Sequence, residues 1–196
     1  MCSFLSALSI AISGLFNPAY AATAGALDPT FGTANDGSPD GVVNLSLGVQ
    51  NDYGRAIAIQ KDNKIIVVGT SEQNGSHNIE IVRLNTNGTL DRSFGTANDG
   101  TPDGVVNLDL GPGDDVGTGV AIDTKTGKIV ISGYHEVAGS TDIIAARLNT
   151  NGTLDQSFGT ANDGTPNGIV DISLGGGRRK SQLRCRSERW KNYSCR

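Results

Sequence analysis

Arg83 and Arg147 stand 64 residues apart, and Asp28, Asp91 and Asp155 recur at spacings of 63 and 64 inside the same run, Leu-Asp-x-x-Phe-Gly. A guanidinium beside a carboxylate forms a planar, charge-assisted pair with several hydrogen bonds. A repeated Arg near a repeated Asp therefore predicts an ion pair between neighbouring strands or neighbouring repeats. A catalytic role would need residues that break the symmetry of the repeat at one face. Arg83 and Arg147 keep it, as do Phe31, Phe94 and Phe158, three of the five phenylalanines.

The second group with chemical potential is acidic. Asn35-Asp36-Gly37-Ser38-Pro39-Asp40-Gly41 recurs over residues 98–104 and 162–168. Asp36, Asp40, Asp99, Asp103 and Asp163 are the metal candidates, because carboxylates and loop carbonyls suit calcium, which takes six to eight oxygens. The spacing departs from the EF-hand, with no alternating Asp or Asn before the Gly and no closing Glu. Asp40 and Asp103 also become Asn167 in the third copy. The plainer reading is turn chemistry, with Asp-Gly and Asn-Gly supplying the bend and Pro39 stiffening it.

Other motifs carry less. His77 and His135 are not repeat-equivalent, fall in polar stretches read as loops, and have no nucleophile or second ligand in view. Residues 111–117 look like a phosphate loop, but two adjacent carboxylates, Asp114 and Asp115, would repel a pyrophosphate. The Asn-x-Ser/Thr triplets at Asn44, Asn74, Asn87 and Asn151 read as turns. Cys185 and Cys195 could suit a disulfide or half a metal site, but two cysteines alone are weak evidence for either. No nucleophile–base pair or carboxylate dyad stands out from the repeat, so no enzyme and no cofactor is expected, calcium being the one ion the loops admit.

These residues must be positioned by a tandem repeat, which dominates the sequence. Its periods run over residues 27–89, 90–153 and, in part, 154–177. Each contains four strand candidates. In the first these are 42–47, with period-two alternation, 56–60, the continuous apolar run 65–69, and 78–84. The second period offers 105–110, 119–123, 129–133 and 142–148. Asn-Thr-Asn-Gly turns follow at 85–88 and 149–152, where positive φ is cheap. Nothing outside the N-terminus has sustained helical periodicity. The expected fold is all-β, with tandem four-stranded units of β-propeller type.

The ordered sub-motifs Leu27-Asp28 through Phe31-Gly32, Asp40-Gly41-Val42-Val43, Lys64-Ile65-Ile66-Val67 and Arg83-Leu84-Asn85, with their later copies, resemble the delta-60 repeat, found in exported bacterial proteins. The resemblance covers about residues 27–177 and implies propeller blades in an extracellular or envelope protein. It implies no activity. Four to eight blades normally close a ring, so two and a half repeats imply an incomplete propeller, a piece of a larger one that needs further blades or partner chains.

Charge divides the chain in two. Its net charge of −4 combines −11 over residues 1–177 with +7 over the last 19. Glycine numbers 27 without a period of three, and cysteine only three, which excludes collagen and a disulfide scaffold. Residues 4–16 form an apolar stretch followed by Asn17-Pro18 and Ala19-Tyr20-Ala21. The pattern predicts a signal peptide over residues 1–21, although no Lys or Arg precedes it. A retained membrane anchor is the rival, for which the stretch is short of the ~20 apolar residues a span needs. The mature chain is then secreted or held in the cell envelope, with no membrane span after cleavage. The basic tail, residues 178–196, is expected to be disordered and out of frame. Residues 185–196 can be encoded so that reading one base later yields Ala-Val-Gln-Ser-Asp-Gly-Lys-Ile-Ile-Val-Ala, in register with 58–68. A nucleic-acid-binding arm is the rival, and no nucleic acid is expected. The function expected is a structural or protein-interaction role. The alternative is a carbohydrate- or surface-binding propeller, weakened by the lack of Trp in the repeats.

Overall fold

The computed structural model describes residues 24–32, 40–47, 50–73, 75–95, 102–137, 139–159 and 167–173. The proposed signal segment and basic tail lie outside them. Among the described residues eight strands form two four-stranded antiparallel sheets. The first holds β1 (Asp52–Ile59), β2 (Ile65–Gln73), β3 (Ser76–Leu84) and β4 (Val105–Leu108), in that order. The second repeats it with β5 (Asp115–Ile122), β6 (Ile129–Val137), β7 (Ser140–Leu148) and β8 (Ile169–Ile172).

Each sheet is a meander whose first two connections are short and chemically suited to reversal, while the third runs through residues 85–104 or 149–168. Asn63, at φ 62°, turns β1 into β2, and Asn tolerates the left-handed region better than most residues. The first strand of each sheet carries a bulge, between Gly54 and Ala56 and between Gly117 and Gly119. Opposite each bulge the partner strand has a glycine. A Cβ on Gly69 would come within 2.0 Å of the Tyr53 carbonyl oxygen, and one on Gly133 within 2.1 Å of that of Val116.

The sheets stack face to face. Ile66, Val68, Ile79, Ile81, Val106 and Leu108 of the first sheet, with Phe94, form one buried cluster with Ile129, Ile131, Ile144, Ala146 and Leu148 of the second. Strand β5 packs across β1, β2 and β3. Gly117 permits that approach, since a Cβ there would lie 2.7 Å from Val68 Cγ1 and 2.9 Å from Ile79 Cγ2.

Two strand expectations are corrected. Residues 42–47 form no strand, and only an isolated bridge joins Gly32 to Val42. Each sheet instead takes its fourth strand from beyond the next Leu-Asp motif, so sheet and sequence period are out of phase. The β2–β3 and β6–β7 hairpins are also longer than their apolar runs. Consequently His77 and His135 sit in strands β3 and β6, not in loops.

Candidate functional site

The repeated charges meet at the strand that closes each sheet. At the end of β3, Arg83 Nε donates to Asp91 Oδ2 at 2.6 Å, and Lys64 Nζ, at the start of β2, donates to the same oxygen at 2.8 Å. Asp91 Oδ1 accepts from Ser93 N and Ser93 Oγ. The guanidinium carbon of Arg83 lies 4.5 Å from the centre of the Phe94 ring, and its Nη2 reaches Ser93 Oγ. The second sheet repeats this with Arg147, Lys128, Asp155, Ser157 and Phe158, with both ion pairs at 2.6 Å and the guanidinium again 4.5 Å from the ring centre.

The backbone accounts for this convergence. Asp91 N donates to Arg83 O, Phe94 N to Asp91 O, and Gly104 N to Phe94 O. These bonds fold the Leu-Asp-x-Ser-Phe-Gly run back on the end of β3. Gly95, at φ 74°, is required in this return, since its Cβ would stand 2.1 Å from the Val105 carbonyl oxygen. Burial raises the Asp91 carboxyl, but bonds from Lys64 and Ser93 and the charge of Arg83 outweigh it, holding the group well below the usual carboxylate range. Bonds from Lys128 and Ser157 likewise lower Asp155.

Two contacts set the first blade apart. Arg83 Nη1 donates to the Thr150 carbonyl of the other sheet at 2.6 Å, and Gly95 N donates to Asn151 O. Its side chain is 8% exposed, whereas that of Arg147 is 28% exposed. Asp28 has neither an Arg nor a Lys beside it among the described residues; its Oδ1 caps Thr30, which lowers its pKa. Phe31 is half-buried, and Gly32 N donates to Asn87 O.

Of the acidic-loop candidates, Asp36, Asp99 and Asp163 lie outside the described residues. Asp40 Oδ1 accepts from Val42 N, Asp103 Oδ1 from Val105 N, and Asn167 Oδ1 from Ile169 N. The three equivalents do the same work, and that work needs an acceptor oxygen rather than a charge. Asp103→Asn is therefore expected to leave the thermal midpoint unchanged, within about 0.5 kcal/mol of stability. Among the described residues no group of three His, Cys, Asp or Glu is placed to hold a metal ion.

Sequence reasoning missed Lys64 and Lys128, although both precede their aspartates by 27 residues. It also missed Glu80. This residue is buried on the outer face of the first sheet, where Oε1 accepts from Ser71 Oγ at 2.8 Å, Asn107 Nδ2 at 2.7 Å and Gln73 Nε2 at 3.1 Å. Glu80 Oε2 and Asp52 Oδ1 are buried without a hydrogen-bond partner. Both residues line a mostly apolar groove of about 340 Å³ with Phe31, Val43, Tyr53 and Ile57. In the second sheet Ile144 takes the place of Glu80.

Desolvation raises the Glu80 pKa, more strongly than its hydrogen bonds lower it. A carboxyl raised in the fold stabilises it fully below the unfolded value and loses that contribution as pH rises through the folded one. Glu80→Gln is thus expected to gain about 1 kcal/mol at pH 7, with the gain vanishing below about pH 4. Urea melts at the two pH values measure it.

The histidines do have partners. His77 Nδ1 lies 3.0 Å from Asp114 Oδ1, linking β3 to the entry of β5, and His135 Nδ1 lies 3.1 Å from Asp115 Oδ1. His135 Nε2 also lies 4.0 Å from Asp171 Oδ2, but among the described residues no group of three such residues is placed to hold a metal ion.

Residues 60–94 and 124–158 match a family described as a domain of unknown function (DUF5122) beta-propeller. The two sheets are β-propeller blades. Each matched stretch contains one whole Lys, Arg, Asp, Ser and Phe cluster, so the charged closure of the blade lies within what the chain shares with that family. Among the described residues two blades are present, and they close no ring. No curated protein and no solved structure matches the chain.

Proposed function

We propose that this chain is a non-enzymatic part of a delta-60-type propeller, exported to the cell surface or envelope, where it serves as a structural or protein-interaction scaffold. One observation carries the reading. The polar groups that recur from blade to blade bond chiefly to one another, Lys64 and Arg83 to Asp91 and Lys128 and Arg147 to Asp155. Arg83 also bonds the neighbouring blade at Thr150, with which it borders a groove between the blades. The outward surfaces are instead apolar sheet faces, suited to further blades or partner chains. No helix of the described residues is long and apolar enough to cross a membrane, and the export proposal rests on residues 4–21. Calcium is not needed for the closure of either blade, because Lys and Arg already neutralise Asp91 and Asp155. An unchanged melting temperature on adding a chelator is expected, and a fall of several degrees would restore the acidic loops as metal sites.

Limited proteolysis tests the scaffold reading. The isolated chain should be cleaved within minutes at the segment holding residues 42–47, with the stacked pair surviving. Uniform resistance along residues 24–173 would argue for a self-sufficient module. The carbohydrate-binding alternative has one observation in its favour, the half-exposed Tyr53 ring beside the Asp52 and Glu80 carboxylates in the groove. An array sugar bound by the wild type and lost in Tyr53→Ala would make that reading the better one.

A further inference from the structure

The two outward faces of the blade pair are not alike, and the interface already inside the chain shows what each of them lacks. The face of β1–β4 that meets the second blade has Ile79 fully buried and Leu108 6% exposed. The equivalent face of β5–β8 carries Ile143 and Ile172 at those positions, 46% and 43% exposed. The face of β5–β8 that meets the first blade packs Val120 and Ile122 against the core. The equivalent face of β1–β4 carries Ile57 and Ile59, 67% and 66% exposed. Each end of the pair thus presents one half of an interface whose other half is at the opposite end.

We propose that a second copy of this chain docks head to tail, the β1–β4 face of one copy on the free β5–β8 face of the other, repeating the in-chain contact. The inference rests on the scaffold reading and names its partner. The register follows from equivalence. Gly54 takes the role of Gly117, against the second copy's Ser132 and Ile143, which stand where Val68 and Ile79 stand in the chain. Arg147, the more exposed of the two arginines, gains the second copy's Thr86 carbonyl, as Arg83 holds Thr150. Gly159 N gains the second copy's Asn87 carbonyl, as Gly95 N holds Asn151.

That last bond has a consequence. In the single chain Gly32 N already occupies Asn87 O, and Phe31, Val43, Leu45 and Leu47 line the groove on the same face. Phe31, Gly32, Val43, Leu45 and Leu47 therefore act as a stand-in for the missing neighbour, and docking displaces them. Among the described residues no sheet lies behind them, and Ile57 and Ile59 remain exposed. A head-to-tail interface closes into a ring or grows into a filament. With the two blades of the described residues in each copy, rings of four to eight blades take about two to four copies.

The test uses full-length chains carrying lysines at one end only. Ile57→Lys with Ile59→Lys blocks one face, and Ile143→Lys with Ile172→Lys blocks the other, all at exposed positions. Sedimentation of the wild type should give about two to four times 20.3 kDa. Each variant alone should sediment as a monomer, and the two mixed in equal amounts should give a dimer. Residues 27–47 should be cut faster in the mixture than in either variant. A wild type that stays monomeric up to about 100 µM, a concentration at which even modest contacts associate, would overturn the proposal while leaving the scaffold reading to its proteolysis test. So would a mixture that stays monomeric, a blocked variant that still dimerises, or aggregation without a defined mass.

Discussion

Asp91→Asn is expected to lower the stability of the blade pair by about 3–5 kcal/mol, the range found when one partner of a buried ion pair is removed. Asparagine keeps the shape and can still cap Ser93, so the loss isolates the charge. Arg83 is the reason for the size of the effect. It is enclosed by Asp91, Ser93, Phe94 and the Thr150 carbonyl, and without the carboxylate its charge stays buried and uncompensated. Asp155→Asn should cost distinctly less, because Arg147 and Lys128 both reach solvent and exposed pairs are screened. The contrast between two equivalent substitutions is the informative quantity, read as the shift in urea midpoint at constant m. The pH dependence has the opposite sign to that of Glu80. The Asp91 pKa is lowered in the fold, so its contribution is complete above about pH 4 and is lost as pH falls toward the folded value. Wild-type stability should therefore drop on acidification below pH 4, and Asp91→Asn should flatten that limb.

Gly117→Val is the second large effect, a loss of about 3 kcal/mol from overpacking. Its Cβ alone would press on Val68 Cγ1 and Ile79 Cγ2 and come within 3.1 Å of the Gly69 carbonyl oxygen. Neither sheet can yield without opening the cluster of Ile66, Val68, Ile81, Ile131 and Ile144. Gly54 occupies the same place in the first blade, where a Cβ would meet only Val67 Cγ1, at 3.8 Å. Gly54→Val should accordingly fall within about 0.5 kcal/mol of the wild type. Thermal melts of the two variants separate a local β-bulge requirement, which both would violate, from a requirement of the blade interface, which only Gly117→Val violates.

Much of this was readable in the residues, for a physical reason. Arg83, Asp91, Phe94 and their copies were visible because a repeat reproduces its closure contacts at a fixed spacing. Lys64 and Lys128 shared that spacing, yet a lysine beside a turn reads as solvated, and only the fold shows each reaching 27 residues forward to its aspartate. The polar ends of β2 and β3, from Thr70 to Gln73 and at Ser76 and His77, looked like loop because ladder bonds rather than apolar burial make them strand. The same blindness placed both histidines outside the sheets. Residues 42–47 show the opposite failure. They match 105–110 closely in sequence, but a strand exists only beside a partner, and β3 offers one to Val105–Leu108 while nothing among the described residues offers one to Val42 beyond Gly32. Glu80 was hidden for a simpler reason: it breaks the repeat, and a lone Glu in an apolar strand gives no hint of Ser71, Gln73 and Asn107 gathering around it.

The central claim is that the repeat folds as blades stacked face to face through β5. The most direct measurement is a nuclear Overhauser spectrum of the methyl-labelled full-length chain, recorded with and without a soluble paramagnet. Cross-peaks from the Gly117 α protons to the Val68 and Ile79 methyls are predicted, with both methyls protected and the Ile57 and Ile59 methyls broadened. Absence of those cross-peaks, with Val68 and Ile79 broadened as much as Ile57, would show two sheets that do not stack and would contradict the account.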